Sequence, residues 1–267
     1  MIVCRSGAEL RRLRTVNQLV GQVLQHLRAA VAPGVTTADL DALAEREIRA
    51  AGAAQAFKGY KGYPASICAS VNEQVVHGIP SPVRVLREGD ILSIDLGAKL
   101  DGFYGDSAVT VGVGKISAKA VELLRVTEES LWKGIEVVRP GARVSDIGHA
   151  VQQHVEKFGF SVVREFVGHG IGVELHEEPQ IPNYGQPGRG PKLAPGMVLA
   201  IEPMVNAGGP GVKVLQDGWT AVTEDRSLSA HFEHTVAVTP DGVEVLTKPA
   251  AKEQTNEGTS VSQAHLR

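Results

Sequence analysis

Leu10, Leu13, Val16, Val20, Leu24 and Leu27 recur at helical spacing behind Ser6-Gly7-Ala8-Glu9, whose serine and glutamate are placed to cap a helix start. The pattern predicts a first helix there and a second over 37–51, stopped by Gly52. The period then changes. Residues 66–72, 90–97 and 103–112 read as strands, because apolar and β-branched residues run together between turn signals. Helical spacing returns over 117–138 and 144–158, and the rest reads as strands and loops. A folded domain over 1–248 should therefore precede a polar, aperiodic stretch at 249–267, expected to be a disordered tail.

Two features organise the folded part. Lys99-Leu100-Asp101-Gly102 reads as a hairpin turn between two of the strands. Centred on Leu100 and Asp101, the turn would set Asp95 directly opposite Asp106, where like charges repel. A cation between them would remove that cost. The second feature is a weak internal repeat. Pro33-Gly34, Asp39 and Gly52 match Pro140-Gly141, Asp146 and Gly159, and the same offset carries Gly89 to Gly196, Ile94 to Ile201 and Asp95 to Glu202. Two similar α+β halves, each sending an acid into a shared crevice, would explain the match.

Composition narrows the setting. At 267 residues and 43% hydrophobic, the chain can bury a full core. A net charge of −3, with acids and bases interspersed, gives no electrostatic case for nucleic acid or an anionic membrane. Cys4 and Cys68 make no disulfide framework. No signal-peptide pattern or spanning apolar run is evident, so the expected location is the cytoplasm.

Candidate chemistry lies in five residues, Asp95, Asp106, His169, Glu202 and Glu233, all in apolar, strand-like or glycine-rich segments. Buried acids are rare unless paired or bound to metal. Four carboxylates and an imidazole suit a two-metal site holding Mn, Fe, Co or Zn better than a thiolate zinc site. Gly168-His169-Gly170-Ile171-Gly172 keeps bulk away from the imidazole, and His176-Glu177-Glu178-Pro179 follows closely.

Together with Asn72-Glu73-Gln74-Val75-Val76-His77-Gly78-Ile79-Pro80, Gly102-Phe103-Tyr104-Gly105-Asp106, Ile201-Glu202-Pro203-Met204 and Glu233-His234-Thr235, these motifs make the chain resemble the type I methionine aminopeptidases of peptidase family M24. The resemblance runs from about residue 5 to 247 with every motif in order. It implies an α+β, pita-bread fold: a pseudo-twofold antiparallel sheet covered by helices. It also implies two divalent metal ions (Co, Mn, Fe or Zn) and removal of the initiator methionine from nascent polypeptides when the second residue is small. The implied partners are nascent amino termini near the ribosome exit, with no nucleic acid and no membrane, and a monomer is expected.

By the same resemblance Asp95 binds one metal, Asp106 and Glu233 bridge both, and His169 and Glu202 bind the other. Glu202 would also move the proton of the attacking water. His77 and His176 would contact substrate and stabilise charge on its oxygen. Tyr60, Tyr63, Cys68 and Trp219 fall where the family builds its methionine pocket. Leu175 stands where bacterial relatives often carry an aromatic residue, and Phe57 lies near a position that is cysteine in some. The short span between Glu202 and Glu233 leaves no room for the helical insert of type II enzymes. The alternatives are an Xaa-Pro peptidase of the same fold, which usually carries an added amino-terminal domain, and a non-catalytic binding protein, which would lack ligands.

Overall fold

Each helix starts where a side chain caps it. In the computed structural model, which describes residues 1–248, α1 spans Gly7–Ala30, α2 Thr37–Ala50, α3 Ala118–Glu136 and α4 Val144–Lys157. Ser6 and Glu9 exchange hydrogen bonds at the start of α1, as Thr36 and Asp39 do at α2. At α3 the cap is Ser117, so this helix is shorter than its apolar pattern by a residue in front and two behind. The expected tail at 249–267 lies outside the described residues.

The strands form one large antiparallel sheet and two small ones. Along the large sheet run Ala54–Gln55, Ile91–Leu100, Phe103–Gly112, Glu233–Thr239, Val198–Ile201, Gly168–Gly170 and Glu177–Ile181. Ile67–Val71 adds to the second of these and Gly242–Val245 to the fourth. Met204–Asn206 pairs with both Ser229–His231 and Ser161–Val162 in one small sheet, and Gln74–Val76 belongs to the other.

The internal repeat is visible in the backbone. Gly34, Gly52 and Gly89 have φ of 93°, 74° and 94°, and Gly141, Gly159 and Gly196 have 87°, 76° and 93°. Gly34 N–H donates to the Leu86 carbonyl and Gly141 N–H to the Leu193 carbonyl, both at 2.9 Å. Asp146 caps α4 through the Arg143 N–H at 2.7 Å, the counterpart of Asp39 on α2. One apolar core joins α1 and α2 to Leu92, Ile94, Leu96 and Ala98; the other joins α3 and α4 to Leu199, Ile201, Val236 and Val238. Alternation along Ile91–Leu100 then turns Ser93, Asp95 and Gly97 to the opposite face.

The hairpin register differs from the sequence expectation. The turn is centred on Asp101 and Gly102, with Leu100 opposite Phe103. Both turn residues have positive φ, 50° and 82°, as a type I′ turn requires, and Leu100 is poorly suited to that conformation. Asp95 therefore faces Ala108, and Asp106 faces Gly97. A shift of two residues preserves the face, so both acids still point to the same side.

Candidate metal centre and pocket

Five polar side chains meet on that side. Asp95 and Asp106 come from the hairpin, and His169 from the short strand Gly168–Gly170. Glu202 comes one residue past Val198–Ile201, and Glu233 opens Glu233–Thr239. Ile201 pairs with His234, and Ala108 pairs with Glu233, so the two halves join at the site. One ligand atom each from Asp106, His169 and Glu233 lies within 4.8 Å of the others, and all three residues are buried. His169 Nε2 is 3.5 Å from a Glu202 oxygen and 4.0 Å from an Asp106 oxygen.

The donor set fits a divalent cation. Asp95 Oδ1, Asp106 Oδ1 and Glu233 Oε1 are buried without a hydrogen-bond partner among the protein atoms. Orphaned carboxylate oxygens are costly, and a cation would satisfy them together. His169 Nδ1 lies 2.9 Å from the Gly170 carbonyl, which can only accept, so Nδ1 carries the proton. Nε2 is thereby left as a lone-pair donor facing the acids, the usual arrangement for a metal-binding histidine.

With protein atoms alone around them, the acids resist ionisation. Burial pushes Asp95 up to about 7, opposed by a hydrogen bond with Asp106. Burial first, and then neighbouring acids, pushes Asp106, Glu202 and Glu233 well above the usual carboxylate range. Positive charge would reverse that balance. The imidazoles are held neutral. Burial lowers His169 to about 4; partial burial, followed by the neighbouring His169, Lys61 and His77, lowers His176 to about 3.

A cavity of about 190 Å³ opens onto this cluster. Its lining includes all the sequence-predicted site residues, namely Asp95, Asp106, His169, Glu202 and Glu233 with His77, His176, Tyr60, Tyr63, Cys68 and Trp219. Phe57 and Leu175 line it too. His77 is aimed inward by a left-handed backbone, φ 60°. It is locked there because Gly78 rides against the Ile67–Val71 strand, where a Cβ would stand 2.6 Å from the Ala69 carbonyl oxygen. The His77 ring packs edge-on against Phe166 and Trp219 at 5.3 and 6.2 Å. The Tyr63 hydroxyl reaches the carbonyls of Ile67 and Gly78, both at 3.0 Å, and Trp219 meets its ring edge-on at 5.1 Å. Cys68, paired with Asp95 across the strands, is buried, and burial then Asp95 raise its thiol pKa. It stays a thiol.

At the mouth, the Tyr60 hydroxyl is 2.9 Å from His176 Nδ1 and the rings stack at 5.2 Å. His176 and His169 have ring centres 4.3 Å apart. Sequence reasoning missed three neighbours. Lys61 lines the cavity with its ammonium 5.3 Å from the Tyr60 ring centre. Phe166 backs His77. His231 is buried with Nε2 unpartnered, 3.7 Å from Glu202. Only His231 carried a signal, its place two residues before Glu233.

Among the described residues, no helix is long and apolar enough to cross a membrane. The profile of Metallopeptidase family M24 matches residues 11–240. The methionine aminopeptidase of Clostridium acetobutylicum is 55% identical over 247 residues, 92% of this chain and 99% of that protein. The crystal structure of methionine aminopeptidase from Thermotoga maritima superposes with a TM-score of 0.92 at 48% identity, covering 93% of this chain and all of that one. The prolidase of Pyrococcus horikoshii shares the fold, with a TM-score of 0.75 at 22% identity, and this chain covers 65% of its length. The chain belongs to metallopeptidase family M24 and, within it, to the methionine aminopeptidases.

Proposed function

We propose that this chain removes the amino-terminal methionine from new polypeptides whose second residue is small, by attack of an activated water on the Met–X peptide bond. The observation that carries this reading is the buried trio Asp106, His169 and Glu233, with ligand atoms within 4.8 Å of one another, at the base of a cavity with aromatic walls. Two divalent ions are the proposed cofactor, Co, Mn, Fe or Zn. When bound they lower the pKa of a water to near neutral.

Asp95, Asp106, His169, Glu202 and Glu233 would hold the ions. Glu202 accepts the proton of the attacking water and returns it to the leaving amine, one carboxylate serving as base and then acid. His77 and His176 donate hydrogen bonds to substrate as charge builds on the scissile carbonyl oxygen. Each is neutral, so each has one N–H to offer; at His176 the Tyr60 hydroxyl can donate to Nδ1 and leave the proton on Nε2. Tyr60, Tyr63, Cys68 and Trp219 enclose the methionine side chain, a long, polarizable thioether suited to an aromatic slot.

The proposed setting is the cytoplasm, where a monomer meets free amino termini as they leave the ribosome. A metal-reconstituted assay on Met-Ala-Ser against an Ala-Pro peptide tests the reading. Release of methionine from the first and no cleavage of the second is expected. Preference for Ala-Pro would favour an Xaa-Pro peptidase, and silence on both with metal bound would favour a binding protein.

A further inference from the structure

One buried ion pair near the site has no part in the chemistry above. Arg5, ahead of α1, has its side chain only 4% exposed, and its guanidinium donates to both carboxylate oxygens of Glu177. The fold makes room for it with two glycines of the second half. A Cβ on Gly172 would stand 2.1 Å from Arg5 Nη2, and one on Gly196 would stand 2.8 Å from the Arg5 carbonyl oxygen. Arg5 N–H donates to the Gly196 carbonyl at 2.8 Å, so backbone and side chain are both fixed.

Glu177 does more than neutralise Arg5. Its Oε1 accepts from the N–H groups of Val173 at 2.8 Å and Glu174 at 3.1 Å, closing the 172–177 loop on its own end. His176 is the residue just before Glu177, and its ring is held between Tyr60 and His169. A carboxylate that lost its guanidinium would face an incomplete set of donors in a largely buried place, and would turn toward water. The loop, and with it the His176 backbone, would lose its anchor.

We propose that Arg5 is a positioning residue for His176, acting through Glu177 to hold the 172–177 loop in register with the metal centre. The inference rests on the assignment of His176 as a substrate-contacting donor. It makes the segment ahead of α1 part of the active-site architecture. A purely stabilising ion pair is the competing account, and the two differ in what happens when His176 is already gone.

The test is a double-mutant cycle on the full chain, metal-reconstituted and assayed on Met-Ala-Ser, with Arg5→Ala, His176→Ala and the pair. Misplacement of a donor should lower kcat of Arg5→Ala roughly 10- to 100-fold with KM little changed. In the His176→Ala background the same substitution should change kcat by no more than about twofold, because the coupled residue is absent. Arg5→Lys, which keeps the charge but not the fork, should recover part of the loss. Bound metal should be equal in all variants. Independently of activity, amide exchange at Val173 and Glu174 should quicken in metal-free Arg5→Ala while exchange in α1 stays as in the wild type. If Arg5→Ala does not fold, Glu177→Gln runs the same cycle. An equal kcat loss in both backgrounds, or none in either, would overturn the proposal, as would a His176→Ala variant with full kcat. A wild-type chain inactive on Met-Ala-Ser would instead defeat the functional reading, and amide exchange would still decide whether Arg5 holds the loop.

Discussion

Asp95 sits opposite Ala108 and Asp106 opposite Gly97, so the two acids are diagonal neighbours on one face of the hairpin. Diagonal positions in an antiparallel pair lie roughly 7–8 Å apart, against roughly 4.5–5.5 Å for direct opposition. The diagonal leaves room for a shared cation between carboxylates that would otherwise crowd each other. The second half repeats the device, because His169 pairs with Ala200, two residues before Glu202. Activity should therefore depend on a removable divalent ion. Chelation is expected to abolish hydrolysis, and Mn, Co or Fe to restore it; full turnover at zero measured metal content would sink the two-metal reading.

The buried acids also set a pH dependence for the chelated protein. Burial raises Asp95 in the folded chain to about 7 from an ordinary 3.8. Its favourable contribution is thus complete below pH 3.8 and is lost as pH rises through about 7. Asp106, Glu202 and Glu233 slope the same way and buried histidines the other, so the wild-type profile does not single out Asp95. The comparison with Asp95→Asn reads its charge together with the repulsion it exerts on those three acids. In chelator, Asp95→Asn should match the wild type near pH 4 and melt higher at pH 8, by roughly 2–4 °C for each kcal/mol relieved. Saturating metal should reverse the order. Equal melting temperatures at pH 8 in chelator would contradict the proposed burial of the Asp95 charge.

Ligands and substrate contacts should separate on mutation. Asp106→Ala or Glu233→Ala should lose metal and activity together, since each offers a ligand atom to the buried trio with His169. His176→Ala should keep its metal and lose about 10²–10³ in kcat, the usual cost of one transition-state donor. Tyr60→Phe removes the hydroxyl at His176 Nδ1, a single neutral hydrogen bond worth about 0.5–1.5 kcal/mol, or roughly 2- to 10-fold in rate. Metal analysis of the purified variants decides the matter: an empty site in His176→Ala would make that residue a ligand.

Much of this site was legible in the sequence because its parts are local. Capping pairs such as Thr36–Asp39 and the turn glycines mark element starts and ends within a few residues, and the repeat needed only their spacing. The acids stood out because apolar strands rarely carry them. What could not be read was how separate segments meet. The hairpin register hinged on whether Leu100 or Gly102 occupied a left-handed turn position, a two-residue ambiguity that leaves the facing unchanged. Arg5 and Glu177 are far apart along the chain, and nothing local to either announces the other. Phe166 and Lys61 were likewise invisible as neighbours of the site until the sheet closed, whereas His231 was marked by its place two residues before Glu233.

The two sides of the scissile bond should differ in how far the pocket can yield. Leu175 is a buried wall of the cavity, and its side chain is smaller than an aromatic ring, so the methionine slot should have slack on that side. On the other side there is none, because His77 is pinned by its left-handed backbone and by the edges of Phe166 and Trp219. A residue following methionine must pass this fixed ring. Met-Ala, Met-Gly and Met-Ser peptides should be cut, and Met-Leu and Met-Lys should be disfavoured by about 10²-fold or more in kcat/KM, since each added methylene costs about 10- to 200-fold in a site that cannot yield. Leu175→Phe should raise KM for branched or lengthened methionine analogues far more than for methionine, because overpacking penalises the larger occupant first. Comparable kcat/KM for Met-Ala and Met-Leu would refute the rigid-ring account of the small-residue rule, and an unchanged analogue profile in Leu175→Phe would show that Leu175 does not bound the slot.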